Sequence, residues 1–145
     1  MRVRAKTLVL VTLLAAVVGC TTVTVRKVDA AKYPLELVCI EENPEVLVSD
    51  LLVVLEDGFQ RHHIKTTVYR DKPPERCQYT LWYTAFRGWD LKPFVRRVEL
   101  RLRFRDETIA SATYNHSGGL ALTKWASTES KVNPVIDELL GEFTK

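Results

Sequence analysis

From Arg97 to Arg105 the chain alternates strictly between charged and apolar residues, and this pattern constrains the fold more than any other feature. The apolar members are Val98, Leu100, Leu102 and Phe104. A period of two is the repeat of a β-strand, whose successive side chains point to opposite faces of a sheet. One apolar and one charged face are typical of a sheet that is covered on one side and open to water on the other. The pattern therefore predicts an open face that carries arginines.

Other segments predict the remaining elements of one domain. Candidate strands cover residues 35–40, 64–70, 78–86, 108–114 and, as a short last strand, 120–125. One helix is predicted from Asn43 and Pro44 to about Arg61, and a second begins after Ser127 or Thr128. The order β-α-β-β-β-β-(β)-α predicts an α+β two-layer sandwich: a mostly antiparallel sheet with two helices on one face.

Residues 1–19 have the layout of a secretory signal peptide. Cations at positions 2, 4 and 6 precede an uncharged run over residues 7–18, too short to span a bilayer, which needs about 20 apolar residues. Residues 17–20, Val-Val-Gly-Cys, resemble the bacterial lipobox. That resemblance implies cleavage before Cys20, an S-diacylglyceryl group on its sulfur and an N-acyl chain such as palmitate on its amine. The alternatives are an ordinary signal peptide with a chance cysteine, or an uncleaved core segment.

Removal of the signal peptide changes the charge of the chain. The net charge of +3 comes from 21 basic and 18 acidic residues, and three of the basic residues lie before Cys20. The predicted mature chain is therefore neutral, and its charge gives no reason to expect a nucleic-acid partner.

The lipobox resemblance also implies a location. Thr22 occupies the position at which aspartate retains such proteins in the inner membrane, so we expect the periplasmic face of the outer membrane. Residues 20–33 are polar and β-branched and predict a lipidated tether, which could extend about 45 Å. The predicted domains are the signal peptide 1–19, this tether 20–33, and one α+β domain over residues 34–145.

Two cysteines remain after Cys20, namely Cys39 and Cys77. An even pair in the oxidising periplasm favours a disulfide. The alternative is two buried thiols whose Cα atoms lie too far apart to be bridged.

The histidine and serine residues, whose side chains often take part in catalysis, do not occur here in the pattern of a known catalytic site. His62 and His63 are adjacent and lack the spacing of a zinc site, and the sequence around His116 and Ser117 lacks a nucleophile elbow. We therefore expect no catalytic residue, no metal and no cofactor apart from the lipid on Cys20.

Two surfaces are candidates for binding. The first is the arginine face, made of Arg97, Arg101, Arg103 and Arg105, which either binds an anionic partner or is simply solvated. The second is a tip made of Phe86, Trp89 and Leu91, which either contacts a partner or folds back over the end of the core.

Residues 79–91, 118–120, 124–125 and 134–137 together resemble a family of small Gram-negative outer-membrane lipoproteins of unknown function. The resemblance implies a compact lipid-anchored α+β domain and no particular activity. We expect a non-enzymatic interaction or accessory module for an envelope assembly, with an envelope protein as partner. The alternative is binding of lipopolysaccharide or an anionic glycan by the arginine face.

Overall fold

One mixed sheet of six strands forms one of the two layers of the domain. The computed structural model describes residues 20–119 and 121–143, so the predicted signal peptide lies outside the described residues. The strands are β1 (Cys20–Arg26), β2 (Leu37–Glu41), β3 (Lys65–Tyr69), β4 (Tyr79–Asp90), β5 (Lys92–Phe104) and β6 (Glu107–Ser117). The helices are α1 (Leu51–Arg61) and α2 (Thr128–Leu139).

The strand order is β1-β6-β5-β4-β2-β3. Strands β1, β6, β5 and β4 pair antiparallel, whereas β2 lies parallel to both β4 and β3. Parallel neighbours need a crossover, and α1 provides it between β2 and β3. The predicted α+β class with a mostly antiparallel sheet is confirmed.

The core lies between the two helices and one face of the sheet. Leu81 and Tyr83 of β4 and Leu100 and Leu102 of β5 point into it, alternating with more exposed residues as the sequence pattern predicts. The two helices pack closely, since a Cβ added at Gly58 of α1 would lie 2.5 Å from Cδ1 of Ile136 in α2. A larger residue at position 58 would therefore require the Ile136 side chain to shift.

The first strand replaces most of the predicted tether. Cys20 to Arg26 pair in register with Ser117 to Ser111 of β6, and Val28 and Tyr33 are buried in the core. Backbone pairing at a sheet edge needs no apolar face, which is why the polar, β-branched composition is compatible with a strand. The segment that was expected to be a flexible spacer is part of the folded domain.

The first helix begins later than predicted. Asn43 instead closes a turn, in which its Oδ1 accepts the backbone N–H of Glu45 while its Nδ2 donates to the carbonyl of Tyr83, at 3.0 and 3.1 Å. The helix begins at Leu51, and Leu47 is 66% exposed rather than part of the buried stripe.

Two further predictions at the ends of strands are wrong. Arg105 is not on the arginine-bearing strand, because β5 ends at Phe104 and Arg105 takes a left-handed turn conformation with φ of 53°. The predicted short strand 120–125 is a 3₁₀ turn, Leu122–Trp125, where Leu120 lies outside the described residues. The backbone N–H groups of Lys124 and Ala126 bond locally to the carbonyls of Ala121 and Thr123.

The predicted disulfide between Cys39 and Cys77 is confirmed, with Cα atoms 5.8 Å apart. It joins β2, which lies between β4 and the edge strand β3, to the loop that precedes β4. Within the part of the chain that the structure describes, neither helix is long and apolar enough to cross a membrane.

Candidate functional site

The sheet face opposite the helices is the first candidate surface, and we call it the open face. Its rows follow from the strand register: Arg26, Ser111, Arg101 and Trp82 form one row, and Thr24, Thr113, Glu99 and Thr84 form the next. A third row is Thr22, Asn115, Arg97 and Phe86. The open face is thus a flat array of hydroxyl groups with arginines and aromatic rings between them.

Glu99 sits among the arginines and partly neutralises them. Its carboxylate forms an ion pair with Arg97 and lies 3.9 Å from the Arg101 guanidinium, which itself lies 5.1 Å from the centre of the Trp82 ring. Both arginine side chains remain about half exposed. The structure brings these four residues together on one surface, whereas Arg105 does not belong to it.

Arg103 lies at the far end of the open face, paired with Thr80 of β4. Its charge acts on Tyr69 of β3, which pairs with Glu41 of β2. Burial raises the pKa of Tyr69, Glu41 raises it further, and Arg103 opposes both effects. Counting Arg26, the open face carries four arginines against Glu99 and Glu41, which gives it a positive surplus.

The tip, made of Phe86, Trp89 and Leu91, is the second candidate surface. Strand β4 continues beyond residue 86, where the predicted strand ended, through Trp89, which pairs with Pro93, in a long hairpin that turns at Leu91. The three tip side chains are 54%, 77% and 85% exposed. The tip therefore points outward, and the alternative in which it covers the end of the core is wrong.

The 3₁₀ turn holds this hairpin in place. The Asp90 carboxylate accepts a hydrogen bond from Lys124, and the Asp90 carbonyl accepts one from the Trp125 indole N–H at 3.0 Å. Lys124 is only 4% exposed although its partner is at the surface. A groove of about 510 Å³ runs beside the tip, lined by Leu47, Phe86, Trp89 and Pro93 among others.

With the sheet order and these surfaces established, the domain can be compared with known structures. It shares its fold with PelC. One PelC dodecamer from Paraburkholderia phytofirmans aligns with a TM-score of 0.56 and 14% identity, covering 82% of this chain and 98% of that one. A PelC variant dodecamer from the same organism aligns with a TM-score of 0.52 and 15% identity, over 80% and 97%.

At this identity the similarity to PelC establishes the fold alone. No protein-family model matches the chain, and no curated protein matches it significantly.

Three buried basic residues were not predicted from the sequence. His116 is 1% exposed, Lys131 is 6% exposed, and both lie behind the tip with Lys124. The Lys131 ammonium donates to the carbonyls of Val95 and Lys124 and lies 5.6 Å from the centre of the Phe94 ring. Lys131 precedes Val132 and lies four residues before Val135, on the apolar stripe of α2. This spacing is the sequence feature that could have predicted the burial of Lys131.

His116 connects this cluster to β1. Its Nδ1 lies 3.1 Å from the Thr21 hydroxyl, and its Nε2 has no hydrogen-bond partner among the described residues. Burial lowers the pKa of His116, and Lys131 and Lys124 lower it further. Burial likewise lowers the pKa of Lys131. Protonation of His116 is thus disfavoured in the folded state.

This lowered pKa predicts a pH-dependent stability. As the pH falls through about 6.5, the unfolded chain binds a proton at His116 that the folded chain resists, so the free energy of unfolding decreases. The slope attributable to one proton is at most about 1.4 kcal/mol per pH unit. Urea denaturation at pH 7.0 and 5.5 should show a smaller decrease for His116→Asn than for the natural chain. An identical decrease in both proteins would contradict this role.

His62 has a structural role that the sequence did not reveal. It is 4% exposed, and its Nδ1 and Nε2 lie 2.8 and 2.9 Å from the Phe143 carbonyl and the Asp137 carboxylate. His63 takes the left-handed conformation, with φ of 60°, two residues after the end of α1. Across residues 20–119 and 121–143, no group of three or more potential ligands could hold a metal ion.

Proposed function

We propose that this protein is a lipid-anchored lipoprotein on the periplasmic face of the outer membrane and serves, without catalysis, as an interaction module for an envelope assembly. The observation that carries this proposal is the open face. Both helices cover the opposite side of the sheet, which leaves an open surface with arginines and aromatic residues. Arginine and aromatic residues are enriched where proteins bind one another.

The charge arrangement favours a protein partner over a small anion. Arg97 and Arg101 share Glu99, and Arg101 also lies over Trp82. Guanidinium groups that are already paired and stacked are held in fixed positions, which suits a surface that recognises the shape of a partner.

Cross-linking in intact cells tests the proposal. A photoreactive amino acid at position 113, in the middle of the open face, should trap one envelope protein, identified by mass spectrometry. The matched control is the same amino acid at position 57, on the exposed side of α1. Trapping of the same set of proteins at both positions would contradict the assignment of the open face.

The positive surplus supports a second candidate function, binding of lipopolysaccharide or an anionic glycan. For this function, purified protein should bind the anionic glycolipid with an affinity that falls as salt rises, because exposed charges are screened. Arg101→Glu with Arg103→Glu should abolish the binding, whereas Lys72→Glu in the loop before β4 should not. Unchanged binding by the double variant would rule out this function.

The possible partners include a second copy of this chain. PelC, whose fold this chain shares, is a dodecamer. A cross-link at position 113 between two copies would make self-assembly the role of the open face, and size-exclusion chromatography with light scattering would then give the number of subunits.

A further inference from the structure

We propose that the tip inserts into the interfacial layer of the lipid bilayer, so that the domain is held at the membrane at two points. This inference rests on the proposed function, which places the first attachment, an acyl anchor, on Cys20. The second attachment would be the side chains of Trp89 and Leu91, the outermost residues of the tip.

The strand register places both attachments at the same end of the sheet. Cys20 pairs with Ser117, two residues beyond the Asn115–Arg97 pair, in the direction in which the β4–β5 hairpin extends. The hairpin continues past that level to its turn at Leu91. At about 3.3 Å per residue along β4, the turn projects roughly 10 Å beyond the level of Cys20, and three strand spacings separate β1 from β4 sideways by roughly 14 Å. A bilayer that holds the lipid on Cys20 is therefore within reach of the tip.

No spacer separates the proposed lipid on Cys20 from the sheet, so the lipid would hold the domain close to the bilayer. Cys20 is the first residue of β1, and its carbonyl accepts a hydrogen bond from the Ser117 hydroxyl at 3.0 Å. An acylated Cys20 would hold this end of the sheet at the lipid surface. A flexible tether would have allowed the domain to stand away from it.

The chemistry of the tip matches the membrane interface. Tryptophan is enriched at the level of the lipid headgroups, where its ring is partly in hydrocarbon and its N–H remains near water. Leu91, the most exposed large apolar residue among those the structure describes, lies at the end of the hairpin beside Trp89. Exposed Arg87, Lys92 and Arg96 flank the tip, while the nearest carboxylate, Asp90, is paired with Lys124. Basic residues beside apolar ones suit a surface of anionic phospholipid.

The hairpin is also rigid enough to present these side chains. Trp125 and Lys124 hold Asp90 at the base of the turn, and Lys92 lies 5.9 Å from the centre of the Trp125 ring. Because the outward position is fixed before contact, insertion orders few additional groups.

Quenching by brominated lipid tests the inference. The full protein is reconstituted into vesicles of phosphatidylethanolamine and phosphatidylglycerol, with or without bromine on the acyl chains. We expect bromine to remove about one third of the emission, the share of one tryptophan out of three, and Trp89→Phe to abolish that loss. The matched control is Trp82→Phe on the open face, which should keep the loss. Leu91→Asp should reduce the quenching of Trp89.

Quenching that is absent, or that persists in Trp89→Phe, would overturn the inference. So would a photoreactive group at position 91 that traps a protein instead of lipid. The mass of the Cys20 peptide in the same sample separates the two proposals. Acylated Cys20 without quenching contradicts insertion of the tip and leaves the anchor in place, whereas quenching with unmodified Cys20 supports insertion of the tip and contradicts the anchor and with it the attachment at two points.

Discussion

Replacing Cys39 and Cys77 together by alanine is expected to lower the free energy of unfolding by about 4 kcal/mol. The bond closes a loop with a sequence separation of 38 residues, so it removes many conformations from the unfolded chain. It also joins β2, which lies between β4 and β3, to the loop before β4, where parallel pairing brings distant parts of the chain together. Urea denaturation under oxidising conditions measures the difference.

The reduced natural protein is the control for this prediction. It lacks the bond but keeps both side chains, and its stability should lie within about 1 kcal/mol of the double variant, apart from the volume lost at the fully buried Cys39. A double variant as stable as the oxidised protein would contradict a stabilising role of the disulfide. The oxidised reference must carry the complete disulfide for this comparison. Titration of free thiols before denaturation checks that it does.

Cys20→Ser is expected to abolish membrane association or leave the precursor unprocessed. Each buried CH₂ of an acyl chain contributes about 0.8 kcal/mol, and two or more chains hold a protein on a bilayer stably. The described domain has no spanning helix to replace them. Fractionation of cells followed by immunoblotting measures the change, and a mature form that stays with the membrane even when Trp89→Phe and Leu91→Asp remove the second attachment would contradict the lipid anchor.

The structure makes Cys20→Ser a clean test of anchoring. The Cys20 side chain is exposed, and the hydrogen bond from the Ser117 hydroxyl is accepted by the Cys20 backbone carbonyl. Serine at position 20 should therefore leave β1 paired with β6. Thr22→Ser, two residues further along the same strand, is the matched control and should remain on the membrane. Thermal unfolding of Cys20→Ser should match that of the control if only the anchor has been lost.

The elements that the sequence predicted are those whose pattern reports burial. Strand β5 alternates because one of its faces packs on the helices, and Val98, Leu100 and Leu102 are almost fully buried as expected. Strand β1 lacks such a signal because six of its seven residues are exposed. It is held by backbone pairing with β6, a long-range contact that leaves no periodic pattern in the sequence.

The candidate surfaces were predictable to different degrees. The residues of the open face follow from alternation along β5, except that Arg105 falls in a turn whose position depends on pairing with β6. The outward direction of Trp89 depends on Asp90 and its contacts with the 3₁₀ turn, more than 30 residues later in the chain. The burial of His116 and Lys131 likewise requires that β6 and α2 pack together, which no local pattern specifies.

The mass of the N-terminal peptide of the protein purified from membranes tests the central claim most directly. The account predicts a mature chain that begins at Cys20, with the mass of an S-diacylglyceryl group and an N-acyl chain on that residue. A peptide that retains residues before position 20, or a mature chain with an unmodified Cys20, would contradict it.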